Sequence, residues 1–146
     1  MFLEADLAME LEVEITNSMT VGNGLNGYLN IIPITGGTFK CLNNDGVFVM
    51  GKVLPGGADW NTRKSETLSH AFAKYTIETE DNIFISVENE GYLDDMARGK
   101  IIKTVPKFKV DENSNYSYLN TGVFVASLDV NFFEKSIVSI KVYKLR

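Results

Sequence analysis

Met1–Thr16 reads M-F-L-E-A-D-L-A-M-E-L-E-V-E-I-T, and this stretch decides the fold class. Leu3, Ala5, Leu7, Met9, Leu11, Val13 and Ile15 fall on one parity, while Glu4, Asp6, Glu10, Glu12 and Glu14 fall on the other. A period of two sends successive side chains to opposite faces of a strand, whereas a helix needs apolar residues three and four apart. Glu, Leu, Met and Ala all favour helices, so helix is the competing reading. A helix, however, would scatter these acids around its circumference. The stretch is therefore read as one long strand over residues 2–16, wet on one face and buried on the other.

The same alternation continues downstream. Asn17–Gly27 is polar and reads as a loop, and Tyr28–Ile34 as a strand stopped by Thr35-Gly36-Gly37. Thr38–Leu42 and Gly46–Leu54 flank Asn43-Asn44-Asp45-Gly46, a hairpin turn signal. A longer loop runs to Leu68. His70–Thr79 and Asn82–Glu90 then flank Glu80-Asp81, a second hairpin, and Gly91–Gly99 reads as a short helical turn. Lys100–Val110, Tyr116–Ala126 and Ser136–Leu145 are the remaining strands, with Asp111–Asn115 and Ser127–Lys135 as loops. About nine short strands without a long amphipathic helix indicate a sandwich or a barrel. Strands near ten residues long make hazardous open edges that closure removes. The expectation is all-β: a single antiparallel β-barrel of about eight to nine strands, one domain over residues 1–146.

Composition narrows the partners. The chain is 45% hydrophobic and 23% charged, as an ordered globular domain is. A net charge of −5 disfavours nucleic acid and anionic membranes. Lys100, Lys103, Lys107 and Lys109 are interleaved with apolar residues, which reads as one wet strand face rather than a basic patch. No run approaches the length of a transmembrane helix, and the acidic amino terminus is the opposite of a secretory signal. Cys41 is the only cysteine, so no intramolecular disulfide forms and a reducing cytoplasm is the expected compartment. His70 is the only histidine, and paired cysteines, a G-x-S-x-G elbow and EF-hand spacing are all missing. No metal and no cofactor are expected.

Val53–Trp60, V-L-P-G-G-A-D-W, is the most specific local feature. Proline cannot donate to a sheet ladder and paired glycines take conformations that larger residues avoid, so the chain is expected to leave a strand and turn sharply. Asp59 and Trp60 would then be presented from a fixed loop.

These residues also carry a resemblance. Ile32-Pro33-Ile34-Thr35-Gly36-Gly37-Thr38-Phe39, Gly51–Trp60, Ala73-Lys74-Tyr75, Asn89-Glu90-Gly91, Thr104–Phe108 and Tyr116–Asn120 occur in this order. Together they resemble the family catalogued as domain of unknown function 3237, also called uncharacterised protein family 0311, from about Val21 to Tyr143. The resemblance implies a compact antiparallel barrel similar in shape to calycin-type barrels, and it implies no established activity. The chain departs from the family pattern at Lys74 and Tyr92, where arginines are usual, and at Tyr118, where tryptophan is usual.

The chemistry available to such a chain is cofactor-free. Asp59 reads either as a turn residue accepting backbone amides or as a proton acceptor whose pKa is raised by burial and the neighbouring indole. Trp60 reads as a barrel plug or as a lid over a ligand. Lys74 and Tyr75 point to opposite faces, with Tyr75 inward beside Ile77. Tyr116, Tyr118 and Asn120 would share a strand face, with Leu119, Thr121, Val123 and Val125 on the core side. Glu88 and Glu90 share a face opposite Asn89 and read as a solvated sheet face. Asp59, Trp60, Tyr75, Tyr118 and Asn120 are expected to converge at one barrel mouth, with Lys74 and His70 as further candidates and Tyr118 as donor to a developing oxyanion. Gly51, Ala73, Ser86 and Gly122 would leave room inside. The reading is a barrel that binds a small organic molecule in its lumen or mouth, with a cofactor-free isomerisation or cyclisation as its chemistry. The alternative is a non-catalytic structural or interaction module whose barrel is filled by its own side chains. Phe132 and Phe133 cover a barrel end or meet a second copy, and a homodimer is the favoured assembly.

Overall fold

The computed structural model describes residues 1–94, 101–130 and 136–146. Its strands are β1 (Ala5–Ile15), β2 (Met19–Gly24), β3 (Gly27–Leu42), β4 (Phe48–Val53), β5 (Ala58–Arg63), β6 (Leu68–Thr79), β7 (Phe84–Asp94), β8 (Ile102–Lys109), β9 (Phe124–Val130) and β10 (Ile137–Leu145). The order β1-β10-β9-β8-β7-β6-β4-β3 returns to β1 through a β1–β3 pairing, so eight antiparallel strands close a barrel, with β2 and β5 as two extra strands. A 3₁₀ turn spans Ser117–Asn120.

The alternation of β1 works as expected from Met9 onward: Met9, Leu11 and Val13 are buried in the core. It fails before that. A bulge between Leu7 and Met9 inserts Ala8, so both Ala8 and Met9 are buried and the parity of Ala5 and Leu7 is reversed.

Of the two glycine pairs expected to end strands, Gly36-Gly37 instead bends a continuous one, while β4 does end before Gly56-Gly57. Ile34 pairs with Ile15 and Gly36 with Glu14, which leaves Thr35 as an extra residue in a single sixteen-residue strand β3. Ile34 faces inward before this bulge, and Phe39 and Cys41 after it. The other pair, Gly56-Gly57, sits between β4 and β5. Both strands lie between β3 and β6, β4 alongside Thr38–Leu42 and β5 alongside Tyr28–Pro33. They are successive pieces of one lane. Pro55-Gly56-Gly57 does not turn the chain back; it interrupts the lane, with Leu54 N–H donating to Thr76 O at 2.9 Å and Ile34 N–H to Gly57 O at 2.8 Å.

Other boundaries move too. β2 and β5 occupy stretches expected to be loop, and Gly91–Asp94 continues β7 rather than starting a helical turn. Tyr116–Asn120 is not strand, so Val123 and Val125 are exposed, while Phe124 and Ala126 face the core. The rest of the expected helical turn, Lys100 and the Phe132-Phe133 pair lie outside the described residues. Among the described residues, no helix is long and apolar enough to cross a membrane.

The barrel is filled from one end. Met9, Leu11, Phe39, Cys41, Ile77, Ile85, Val87 and Val142 pack inside it, and Tyr116 and Leu119 from the 3₁₀ region close it off. Tyr116 donates its hydroxyl to Asp81 Oδ1 at 2.8 Å, and Tyr118 donates to Leu42 O at 2.8 Å. These bonds anchor the plug to the β6–β7 and β3–β4 hairpins.

Candidate functional site

At the other end the inward positions are smaller and more polar, and several are only half-buried. Register decides which they are. Asp59 pairs with Ile32 on β3 and with Ala73 on β6; Ala73 pairs in turn with Asn89 on β7, and Asn89 with Pro106 on β8. Residues paired across neighbouring strands share a face. Ala73 lies two positions from buried Tyr75, and Ile32 two from buried Ile34, so the whole row faces the lumen. By the same rule Asn30, Asn61, Arg63, Ser69, Ala71, Gly91, Thr104 and Ala126 face inward as well. Asn30, Ile32, Asp59, Asn61, Ala73 and Gly91 keep partial exposure, unlike their inward counterparts at the plugged end. Register thus gathers small residues (Ala71, Ala73, Gly91) and polar ones (Asn61, Asp59, Asn89, Thr104) on the inner face at one end of the barrel, here called the cup.

Asp59 is held at the seam between β5 and β6. The β5–β6 ladder skips the positions between Asp59–Ala73 and Thr62–His70, and there Phe72 N–H donates to Asp59 Oδ1 at 2.9 Å. Burial pushes the carboxyl above the ordinary carboxylate range, although the Phe72 amide, the Asn61 side chain and His70 each pull it down. Desolvation of the charged form outweighs these favourable partners. Arg63, two residues beyond Asn61 on the same face, donates through Nη1 to Ser69 Oγ at 3.2 Å and through Nη2 to Glu66 O.

The expected convergence at one mouth is not what the register allows. Asp59 sits beside Ile32 and Tyr118 beside Leu42, ten positions apart on β3, about 30 Å of strand. Tyr118 and Asn120 belong to the plugged end. Tyr118 is bonded to Leu42 O and lies 3.6 Å from Cys41 Sγ, and burial drives its hydroxyl pKa upward. Asn120 bonds both the N–H and the C=O of Val110, at 2.9 and 2.8 Å, which is a structural clamp.

Facing divides the remaining candidates. Tyr75 is inward and 4% exposed, as its parity requires. Trp60 is outward and 39% exposed, so it does not plug the barrel and its indole is not what raises the Asp59 pKa. It borders an outer groove of about 560 Å³ at the β4–β5 break, together with Pro55, Lys74 and Phe84. Lys74 and His70 are outward too, 3.6 Å from Glu88 and 3.1 Å from Glu90 respectively, and the His70 ring lies 5.0 Å from that of Tyr92. Glu88 and Glu90 thus form a solvated, paired face with Asn89 opposite. Of the residues expected to leave space, Ala73 lines the cup. Ser86 pairs with Thr76 on the outer face, and the places beside Gly51 and Gly122 are taken by the Phe39 and Phe124 rings.

Asn61, Arg63, Ser69, Asn89 and Thr104 are the cup residues that sequence reading does not single out as a site. Asn61 and Arg63 lie in a stretch without alternation. For the other three the signal is present: Ser69, Asn89 and Thr104 each take a core parity within a clean strand pattern. No group of three or more His, Cys, Asp or Glu side chains among the described residues could hold a metal ion.

The closed barrel with its two extra strands defines a small all-β protein. The chain belongs to the family described as protein of unknown function DUF3237, which it matches over residues 3–145. It is 32% identical over 139 residues to a UPF0311 protein of Bradyrhizobium diazoefficiens, covering 86% of this chain and 87% of that one. The crystal structure of a conserved protein of unknown function from Rhodopseudomonas palustris superposes with a TM-score of 0.84 at 28% identity, over 100% of this chain and 99% of that one. A structure described as an enzyme from Penicillium herquei shares the fold at TM-score 0.73 and 17% identity, over 99% of this chain and 95% of the other.

Proposed function

We propose that this protein binds a small organic molecule in the cup, in the manner of a calycin-like barrel, and that Asp59 acts on it as proton acceptor in a cofactor-free isomerisation or cyclisation. The observation that carries this reading is the one-ended filling. A barrel of eight strands is just wide enough to fill itself, and small inward residues such as Ala71, Ala73 and Gly91 at this end support the reading that a ligand completes the filling. A carboxylate whose pKa is raised by burial is a stronger base than an exposed one, which suits proton abstraction. A barrel of the same fold described as an enzyme is compatible with chemistry on this scaffold. The rival reading, a filled non-catalytic module, predicts no ligand. A thermal-shift screen across a broad set of metabolites separates the two, because a ligand that binds only the folded state raises its melting temperature. No stabilisation by any compound would favour the rival.

Two substitutions test the role of Asp59. Its folded pKa is raised, so the native state binds this proton more tightly than the unfolded chain. Stability from this group is therefore gained as pH falls through the raised value towards the ordinary carboxylate range, and is absent above the raised value. Asp59→Asn keeps an acceptor for Phe72 N–H and removes the ionisation. It is expected to melt at or above the parent at pH 7, to flatten this acid-side gain, and to abolish ligand turnover. Asp59→Ala strands the amide and is expected to cost about 1–3 kcal/mol. Unchanged turnover in Asp59→Asn would leave Asp59 as a ladder acceptor only.

Cytoplasmic residence and a homodimer belong to the same proposal. Cys41 is a buried free thiol, which suits a reducing compartment. The dimer rests on the adjacent aromatics Phe132 and Phe133. Light scattering is expected to give twice the 16.3 kDa chain mass, and a monomer mass at high concentration would remove the idea.

A further inference from the structure

We propose that Asn89 and Thr104 form a neutral hydroxyl-binding subsite in the wall of the cup, and that the ligand presents an uncharged alcohol or enol to it. This deepens the cup reading and rests on it.

Asn89 is 5% exposed and Thr104 3% exposed, and both face inward. Asn89 Oδ1 and Thr104 Oγ1 are nevertheless buried without a hydrogen-bond partner in the protein. Buried polar atoms are nearly always paired, so two together on neighbouring strands, both closed to solvent here, point to a partner that enters when these side chains part. The two residues are diagonal neighbours across β7 and β8, because Thr104 lies beside Gly91, two positions from Asn89. A Cβ on Gly91 would stand 2.8 Å from Thr104 Cγ2, so this glycine leaves the threonine its seat.

The donor inventory selects the ligand group. An amide oxygen only accepts, whereas a threonine hydroxyl can donate and accept. One ligand hydroxyl matches both: it donates to Asn89 Oδ1 and accepts from the Thr104 hydroxyl. A carboxylate has no proton for Asn89 Oδ1 and would set lone pairs against it. An ammonium would give up its hydration for two neutral oxygens, which does not repay the desolvation of a charge.

The row Asp59–Ala73–Asn89 also sets the ligand's size. Two lanes of sheet separate Asp59 from Asn89, about 10 Å between backbones, with only the Ala73 methyl between them. A molecule about one six-membered ring wide, bonded through its hydroxyl at Asn89 and Thr104, would bring its opposite edge towards the Asp59 carboxylate.

Titrations of the full chain, followed by backbone amide shifts in NMR spectra, test this with four matched probes: cyclohexanol, methylcyclohexane, cyclohexanecarboxylate and cyclohexylammonium. Cyclohexanol is expected to move the amides of Asn89, Gly91 and Thr104 and to bind about tenfold more tightly than methylcyclohexane, the size of one net hydrogen bond. The two ions are expected to bind more weakly than the alcohol. Thr104→Val and Asn89→Leu should each melt at or above the parent, since an apolar side chain replaces an unpartnered polar one, and each should lose the preference for the alcohol. Thr104→Val melting well below the parent would show that the hydroxyl has an internal partner, and would overturn the subsite. Equal binding of cyclohexanol and methylcyclohexane would overturn the hydroxyl assignment and leave the cup standing. No cup amide moved by any probe would remove the cup reading and the subsite with it.

Discussion

Gly37→Ala is expected to prevent the barrel from closing. Gly37 has φ +136°, a conformation that side-chain-bearing residues rarely adopt, and it pairs with Val13 where β3 bends onto β1. A Cβ built there would lie 2.1 Å from Glu12 O, a backbone atom with no rotamer in which to retreat. Either the β1–β3 ladder separates or β3 loses its bend, and both open the barrel. Backbone strain alone amounts to about 1–3 kcal/mol, and the overlap adds to it, so a loss of about 3 kcal/mol or more is expected. Gly46→Ala is the control. Gly46 also has a positive φ, +78°, at the β3–β4 hairpin, but nothing lies within 4 Å of its Cβ position. Thermal melts by circular dichroism should show a small loss for Gly46→Ala and a large one, or no folded protein, for Gly37→Ala. Similar melts for the two would mean that β1 and β3 can separate without consequence.

Leu119→Ala should give the second largest effect, because Leu119 seals the plugged end. It is 2% exposed and packs in the core cluster with Tyr116, Phe108 and Phe124. Truncating it leaves a cavity under a 3₁₀ turn that Tyr116 and Tyr118 pin from both sides, so collapse onto the space is restricted. Leu→Ala substitutions at such sites cost about 2–5 kcal/mol, which corresponds to about 10 °C in a domain of this size. The ligand binding proposed for the other end should survive at temperatures where the variant is folded. A melting change within 1–2 °C, by contrast, would mean that the barrel floor is made by the strands alone.

Much of the fold is legible in the chain because strand parity is a local property. Met9, Leu11 and Val13 are buried as their alternation requires, and Tyr75 faces inward while Lys74 faces out. The hairpins at Asn43–Gly46 and Glu80-Asp81 are legible for the same reason, since turn residues act within a few positions. The glycine pairs mislead. Read locally, Thr35-Gly36-Gly37 and Pro55-Gly56-Gly57 look like ends, because nothing in them says that neighbouring strands continue to offer hydrogen bonds beyond the break. β5 is missed on that account, and with it Asn61 and Arg63.

The sequence by itself determined an antiparallel β-barrel and the alternation that buries Met9, Leu11, Val13 and Tyr75. Only the tertiary structure decided which end each residue occupies and which polar groups find partners. Asp59 and Tyr118 look like members of one site along the chain, yet strand register puts them beside positions ten residues apart on β3, at opposite ends of the barrel. Asn89 can be assigned to the inner face from its parity against Glu88 and Glu90. That its amide oxygen meets no partner there follows from the facing Ala71, Ala73 and Gly91, which are too small to carry one, and those neighbours come together only when the sheet has closed.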